Sequence, residues 1–424
     1  MKFSSVVIAV LLASCGAENS SDLFKAWNQN NDPKNMGLDY FKESYQYQNN
    51  FSKLPLAGDL SKTPWSGDYW ATFRGGITFR WVPVAASWEF IDDKELAPFY
   101  GYELLPTDKE KLDDVLIHNL SPAEKYDLYL GDYTFSLTRF ERERTQVMKT
   151  IESSSEFDPD FEIPRWEGLC HAWAPATLQY EAPSNVVVTN PDGIEIPFGA
   201  SDIKALLTYN LHHNESLAGT KFLGSRCELN VDHLTEQLQN GKITQAEYRK
   251  QYRSILKTSA CADTNAGAFH ITLANQIALM DEGFVVDVTR DSEVWNQGVY
   301  SFESEVLRES KKVLKSSAKG TVKRIFLKTT MKYVNEISFS WQGEVASEDQ
   351  PEGIKVYHYW LELDAQNEIV GGEWAKPKEI PNQLEKVDAD EKDDRPDFLW
   401  KMETVPFANG FQELEQVYLK SIAK

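Results

Sequence analysis

Positive charge is in short supply in this chain. It carries 44 Lys and Arg against 65 Asp and Glu, a formal net charge of −21 over 424 residues. No basic face is evident to neutralise phosphates, which argues against nucleic acid as a partner. Bilayer-length apolar runs are missing as well. The stretch 6–12 is apolar but far shorter than the roughly 20 residues of a membrane-spanning helix. No internal repeat or coiled-coil heptad stands out. Cysteine and histidine are scarce, at four and seven residues, and they lack the paired short spacing of a structural zinc site. What the chain has in quantity is apolar and aromatic surface. Apolar residues make up 42% of it, with 12 Trp, 18 Tyr and 22 Phe, enough for a substantial core spread over two or three domains.

The four cysteines divide by context. Residues 1–14 read as a signal peptide, with Lys2 as the positive start and 6–12 as the apolar stretch. Leu12-Ala13-Ser14-Cys15 has the small residues before cysteine of a lipoprotein signal, which makes Cys15 the lipidated first residue of the mature chain. Gly16, rather than an aspartate, follows it, as expected for an exported lipoprotein of the outer membrane or cell surface, or one released from it. The Asn-, Gln-, Ser- and Asp-rich tract that follows suggests a flexible tether over 15–54. Export favours a Cys227–Cys261 disulfide; two buried free thiols are the alternative. The bridge would close a loop of roughly 35 residues, worth on the order of 3–4 kcal/mol. Cys170 is then left as the free thiol.

Cys170 stands in Trp166-Glu167-Gly168-Leu169-Cys170-His171-Ala172-Trp173, where an aromatic turn meets a small-residue run that can start a helix. A helix N-terminus favours the thiolate. Ala266-Gly267-Ala268-Phe269-His270 offers a base, and Phe284-Val285-Val286-Asp287 ends in a carboxylate that could orient it. Cys170, His270 and Asp287 are the parts of a thiol-dependent acyl-transfer site. Asp291 and Asn296 are alternative orienting groups, and Trp166, Trp173 and Trp295 are expected walls of the site. His171 adjoins the cysteine, but neighbouring helical side chains diverge, so a supporting polar role is expected for it. The backbone N–H of Cys170 and one further donor, with Arg165 or Trp166 nearest in sequence, would meet an oxyanion.

Elsewhere the pattern predicts a helix over 109–118, a second opened by Ser121-Pro122-Ala123-Glu124, and a third over 135–150. Strands are expected at 185–188 and 194–196, a helix at 203–209 behind Asp202, and a helix–turn–helix over 232–256 broken at Gly241. After a basic linker at 311–319, β-rich segments at 322–330, 331–340, 355–364 and 368–374 suggest a C-terminal β domain over 320–424. The expected class is α+β, with a mainly helical N-terminal domain over 55–160.

These motifs resemble the transglutaminase-elicitor family of oomycetes and marine bacteria. The matching pieces are Pro64-Trp65-Ser66-Gly67-Asp68-Tyr69-Trp70, the Cys170 motif, and Cys261-Ala262-Asp263-Thr264-Asn265-Ala266-Gly267-Ala268-Phe269-His270. Val294-Trp295-Asn296-Gln297, Gly371-Gly372-Glu373-Trp374 and Pro396-Asp397-Phe398-Leu399-Trp400 complete the set. Gly298-Val299-Tyr300 departs from the family's Pro-Val-Arg continuation. The resemblance implies a papain-like catalytic core over 161–310, joining of protein glutamine to lysine or another primary amine, and calcium dependence. On it Cys170 matches the nucleophile, and His270 and Asp287 match the base and carboxylate. The residues alone assign no metal site: the acidic run Asp388-Ala389-Asp390-Glu391-Lys392-Asp393-Asp394 has oxygen donors in number but not the spacing of an EF-hand loop. A papain-like protease, amidase or deamidase built on the same residues is the alternative enzyme, and a non-catalytic surface-binding lipoprotein is the third reading.

Overall fold

The computed structural model describes residues 30–37, 47–81, 117–152, 154–225, 232–255, 264–288, 293–337, 352–381 and 395–423. Its helices are α1 (Lys34–Gly37), α2 (Pro122–Tyr129), α3 (Ser136–Thr145), α4 (Cys170–Gln179), α5 (Ala200–Asn214), α6 (Asp232–Gln239), α7 (Gln245–Ile255), α8 (Ala266–Leu273) and α9 (Leu414–Ile422). Local chemistry explains several boundaries. Ser121 caps α2 in a reciprocal bond pair with Glu124, and Pro122 takes the first position, where no N–H is needed. Asn265 caps α8 by accepting from Gly267 N and Ala268 N. Gly241, at φ +64°, separates α6 from α7 as its sequence position suggests.

The strands are β1 (Ala57–Asp59), β2 (Val186–Thr189), β3 (Glu195–Phe198), β4 (Thr220–Gly224), β5 (Phe284–Asp287), β6 (Asn296–Ser310), β7 (Lys323–Val334), β8 (Glu352–Leu363), β9 (Ile369–Trp374) and β10 (Phe398–Met402). β2 and β3 form a hairpin. The rest form one antiparallel sheet in the order β4-β10-β5-β6-β7-β8-β9, with β1 added on β6.

Period-two alternation along these strands feeds two different cores. Val285, Phe398 and Trp400 face Trp173 and the alanines of α4. Phe284, Val286, Leu399, Leu327 and Tyr359 face α8, including Phe269 and Ile271. A third cluster joins α2, α5, α9 and the hairpin through Tyr126, Phe198, Leu206, Tyr209, Phe411 and Leu414. Inside it Lys125 Nζ lies 2.5 Å from Asp202 Oδ2, and both side chains are fully buried. Asp202 also accepts from Trp81 Nε1 at 2.7 Å and from Gly199 N at 2.7 Å, closing the start of α5.

The α+β class agrees with the expectation; the division into domains does not follow it. β7, β8 and β9 belong to the same sheet as β5 and β6, so the segment 320–424 is not a separate β layer. The segment 311–319 is the connection between two adjacent strands of that sheet, β6 and β7. Segments 322–330 and 331–340, expected as two strands, merge into β7, which ends at Val334. Parts of the expected tether are packed. Met36 and Leu54 are buried in the α8-side core, and Asn31 Oδ1 accepts from Asn265 N at 2.6 Å. A polar composition does not keep a segment loose when a few apolar side chains and backbone groups find partners. Cys15, Cys227, Cys261, Asp291, the acidic run 388–394 and most of the predicted helix 109–118 lie outside the described residues.

Candidate active site: a thiol at a helix start

Cys170 is the first residue of α4, and two loops hold that helix start. Leu169 N donates to Tyr69 O at 2.7 Å and Thr72 N to Glu167 O at 2.9 Å. Tyr69 Oη donates to Arg165 O at 2.7 Å. Gly168 permits this approach, since a Cβ there would stand 2.5 Å from the Tyr69 ring and 2.8 Å from Tyr69 O. Trp70 sits in the left-handed region at φ +54°, with its N–H held by Asp68 Oδ1 at 2.7 Å. Such a conformation persists only where the surroundings over-determine it. The motif Ser66-Gly67-Asp68-Tyr69-Trp70 is thus the cradle of the thiol.

The half-buried Cys170 packs against the cluster of Tyr69, Ala71 and Phe73. Its hydrogen-bond partners among the described residues are Val294 O, as acceptor, and Asn296 Nδ2, as donor, each at 3.6 Å. Trp400 Nε1 donates to Asn296 Oδ1 at 2.8 Å, which turns the Asn296 NH2 group toward the sulfur. Asp287, fully buried, pairs with Asn296 across β5 and β6 and accepts from Trp295 N at 3.1 Å.

Burial pushes the Cys170 thiol up; the Asn296 N–H groups pull it down, while the charges of Glu336 and Asp287 raise it. Glu336 follows β7, where Ile337 N donates to Gly67 O at 3.2 Å and ties the segment to the cradle. Burial, helped by Asp68 and opposed by Arg74, raises Glu336 to about 7. Arg74 is itself paired with Asp68 at 3.3 Å. The resting sulfur is therefore a neutral thiol on which the charges of two carboxylates act, one of them raised to about 7.

The structure brings together Cys170, Asp287 and Asn296, and it does not bring His270 to them. The sheet lies between them: Val285 packs toward α4, whereas α8 packs on the opposite face against β8 and β9. His270 is fully buried there, with Nδ1 2.9 Å from Tyr359 Oη and its ring beside Phe51. Burial lowers its pKa to about 3, so the ring is a neutral core side chain. The apolar run around His270, which suggests an ordered base, is instead the face of a buried helix. Of the expected walls, Trp173 is a core residue of the α4 cluster and Trp295 packs on the α8 side of the sheet. Trp166 is partly exposed on the loop entering α4. Glu336 was not expected. It carries no motif, and the course of β7 brings its charge within electrostatic range of the thiol.

Whether the described residues fit calcium can be tested on their donor sets. The group of His, Cys, Asp and Glu side chains that could converge on an ion is His171, His212 and Glu215. It offers imidazole nitrogens and one carboxylate, not the shell of six to eight oxygens that Ca2+ takes. That donor set does not fit calcium.

A free cysteine at a helix start, backed by an antiparallel sheet in an α+β fold, defines the class. The sequence matches the transglutaminase elicitor family over residues 153–420, well over half of the chain, and the protein belongs to that family. The fold is similar to the crystal structure of the GP42 transglutaminase from Phytophthora sojae, at 19% identity and a TM-score of 0.58, covering 93% of this chain and 99% of that one. No curated protein matches the chain.

Proposed function

We propose that the protein is a transglutaminase that transfers the acyl group of a protein glutamine to lysine or another primary amine, with Cys170 as nucleophile. The observation that carries this reading is a half-buried thiol at the first position of α4, held by Asn296, in a chain of the transglutaminase elicitor family. Glu336, at about pKa 7, takes the thiol proton as the sulfur attacks the glutamine carboxamide. The oxyanion is met by the Cys170 N–H at the helix start and by Asn296 Nδ2. The tetrahedral species collapses to a thioester as Glu336 returns the proton to the departing ammonia. An amine then attacks the thioester, forming the isopeptide bond and regenerating the thiol. Asp287 anchors the β5–β6 end that carries Asn296 and adds negative charge beneath the site.

Water competes for the same thioester, so deamidation or peptide hydrolysis is the second outcome of this chemistry. On this reading Cys15 carries a lipid anchor on an exported enzyme whose substrates are proteins bearing Gln and Lys.

The test is incorporation of a fluorescent primary amine into a glutamine-bearing protein. Wild type is expected to incorporate it and Cys170→Ala to lose incorporation entirely. Release of new peptide termini without incorporation would move the assignment to a protease. A Cys170 thiol no more reactive to iodoacetamide than a free model thiol, with no turnover, would sink both.

A further inference from the structure

Beside the thiol, α4 and α5 bring together three side chains that the acyl-transfer scheme does not use. His171 lies in the first turn of α4, His212 in the last turn of α5, and Glu215 opens the 3-10 turn Glu215–Leu217 that follows. One donor atom from each lies within 4.8 Å of the others, and all three are partly exposed. His171 Nε2 is 3.0 Å from His212 Nδ1, with the rings T-shaped at 72°. We infer that His171, His212 and Glu215 form a binding site for a divalent transition cation of the Zn2+ type, with three protein ligands and the fourth position open to water.

The geometry supports this in several ways. Zn–N bonds of about 2.0–2.1 Å place ligand nitrogens a little over 3 Å apart, so a small opening of the His171–His212 pair admits the ion. Neutral imidazole is the ligand form. A hydrogen bond between the rings would account for the histidines alone. It does not account for the Glu215 carboxylate, which converges with them within 4.8 Å. Arg144 contributes opposing positive charge, but its guanidinium is forked onto Glu141 at 2.6 and 2.8 Å, which offsets it. Two imidazoles and one carboxylate select Zn2+-like ions over Ca2+ and Mg2+. A bound ion would pin the first turn of α4 to the end of α5, one residue from Cys170.

The experiment titrates the chelator-treated full chain with Zn2+ alone, measuring metal content after dialysis and melting temperature. One Zn2+ per folded chain is expected, with a melting temperature raised by several degrees. Co2+ in its place is expected to give the strong visible bands of a four-coordinate ion. His212→Ala is expected to weaken Zn2+ binding by more than roughly 100-fold, beyond the loss typical of an outer-sphere partner. His171→Asn and Glu215→Gln keep side-chain volume and serve if His212→Ala fails to fold by circular dichroism. The inference is overturned if wild type takes up no Zn2+, if excess Ca2+ displaces it, or if the folded variants bind as wild type does. None of these outcomes depends on acyl-transfer activity.

Discussion

At the level of single residues, the thiol's surroundings make distinct demands on pH. Glu336 accepts a proton only when ionised, and its pKa is raised to about 7 by burial and Asp68. The amine-transfer rate is therefore expected to fall about tenfold per pH unit below 7 and to level off above it. In Glu336→Gln this acidic limb should vanish together with roughly 10²–10⁴ of the rate; a variant that keeps the limb would show that another group titrates. His270 makes the contrasting case. Its Nδ1 bond to Tyr359 is internal to the α8 core, so His270→Asn is expected to cost on the order of 1–3 kcal/mol of stability. Incorporation per folded molecule should be unchanged. A large loss of rate at unchanged stability would return His270 to the site. The position of Cys170 at a helix start and of Asp287 at a strand end was legible from their residues. His270 was misread because buried histidines and catalytic histidines share an apolar sequence context, and the difference is which face of a sheet they reach.

Among the elements, the caps and breakers were the most readable parts. Ser121, Pro122 and Glu124 act locally, through bonds within one turn, and Gly241 breaks its helix pair through its own φ. Contacts between elements carried no such mark. Lys125 and Asp202 sit in α2 and α5, 77 residues apart, and nothing in either segment announces the pair. Removing one partner strands a buried charge, so Lys125→Met is expected to destabilise by on the order of 3–5 kcal/mol in urea unfolding. A loss below 1 kcal/mol would mean that Asp202 is held by Trp81 and Gly199 alone. The glycines of Gly371-Gly372-Glu373-Trp374 are a further case: a Cβ on Gly372 would stand 2.3 Å from Gly267 N. The motif marks where α8 lies on β9. The cluster His171, His212 and Glu215 also lacks a full linear signature. Only the three-residue interval from His212 to Glu215 is local, and the third ligand arrives by packing of α4 on α5.

For the molecule as a whole, one sheet sets the plan. β6 and β7 pair along nearly their full lengths, so the β-rich C-terminal third completes a layer begun by earlier strands. A fragment of residues 320–424 is therefore expected to lack a cooperative unfolding transition and to aggregate through the exposed β7 edge. A monomeric fragment with native strand content by circular dichroism and size-exclusion chromatography would show an independent domain after all. By itself the sequence determined the α+β composition, several helix starts, the family and the cysteine that opens a helix, because these depend on neighbours within a few residues or on motifs that stay together in the chain. Only the tertiary structure decided which side of the sheet each candidate occupies. Alternation along β5 and β6 sends Asp287 and Asn296 toward Cys170 and leaves His270 on the far face. The course of β7 brings the Glu336 charge within range of the thiol, and side-chain direction across a long-range register has no local signature.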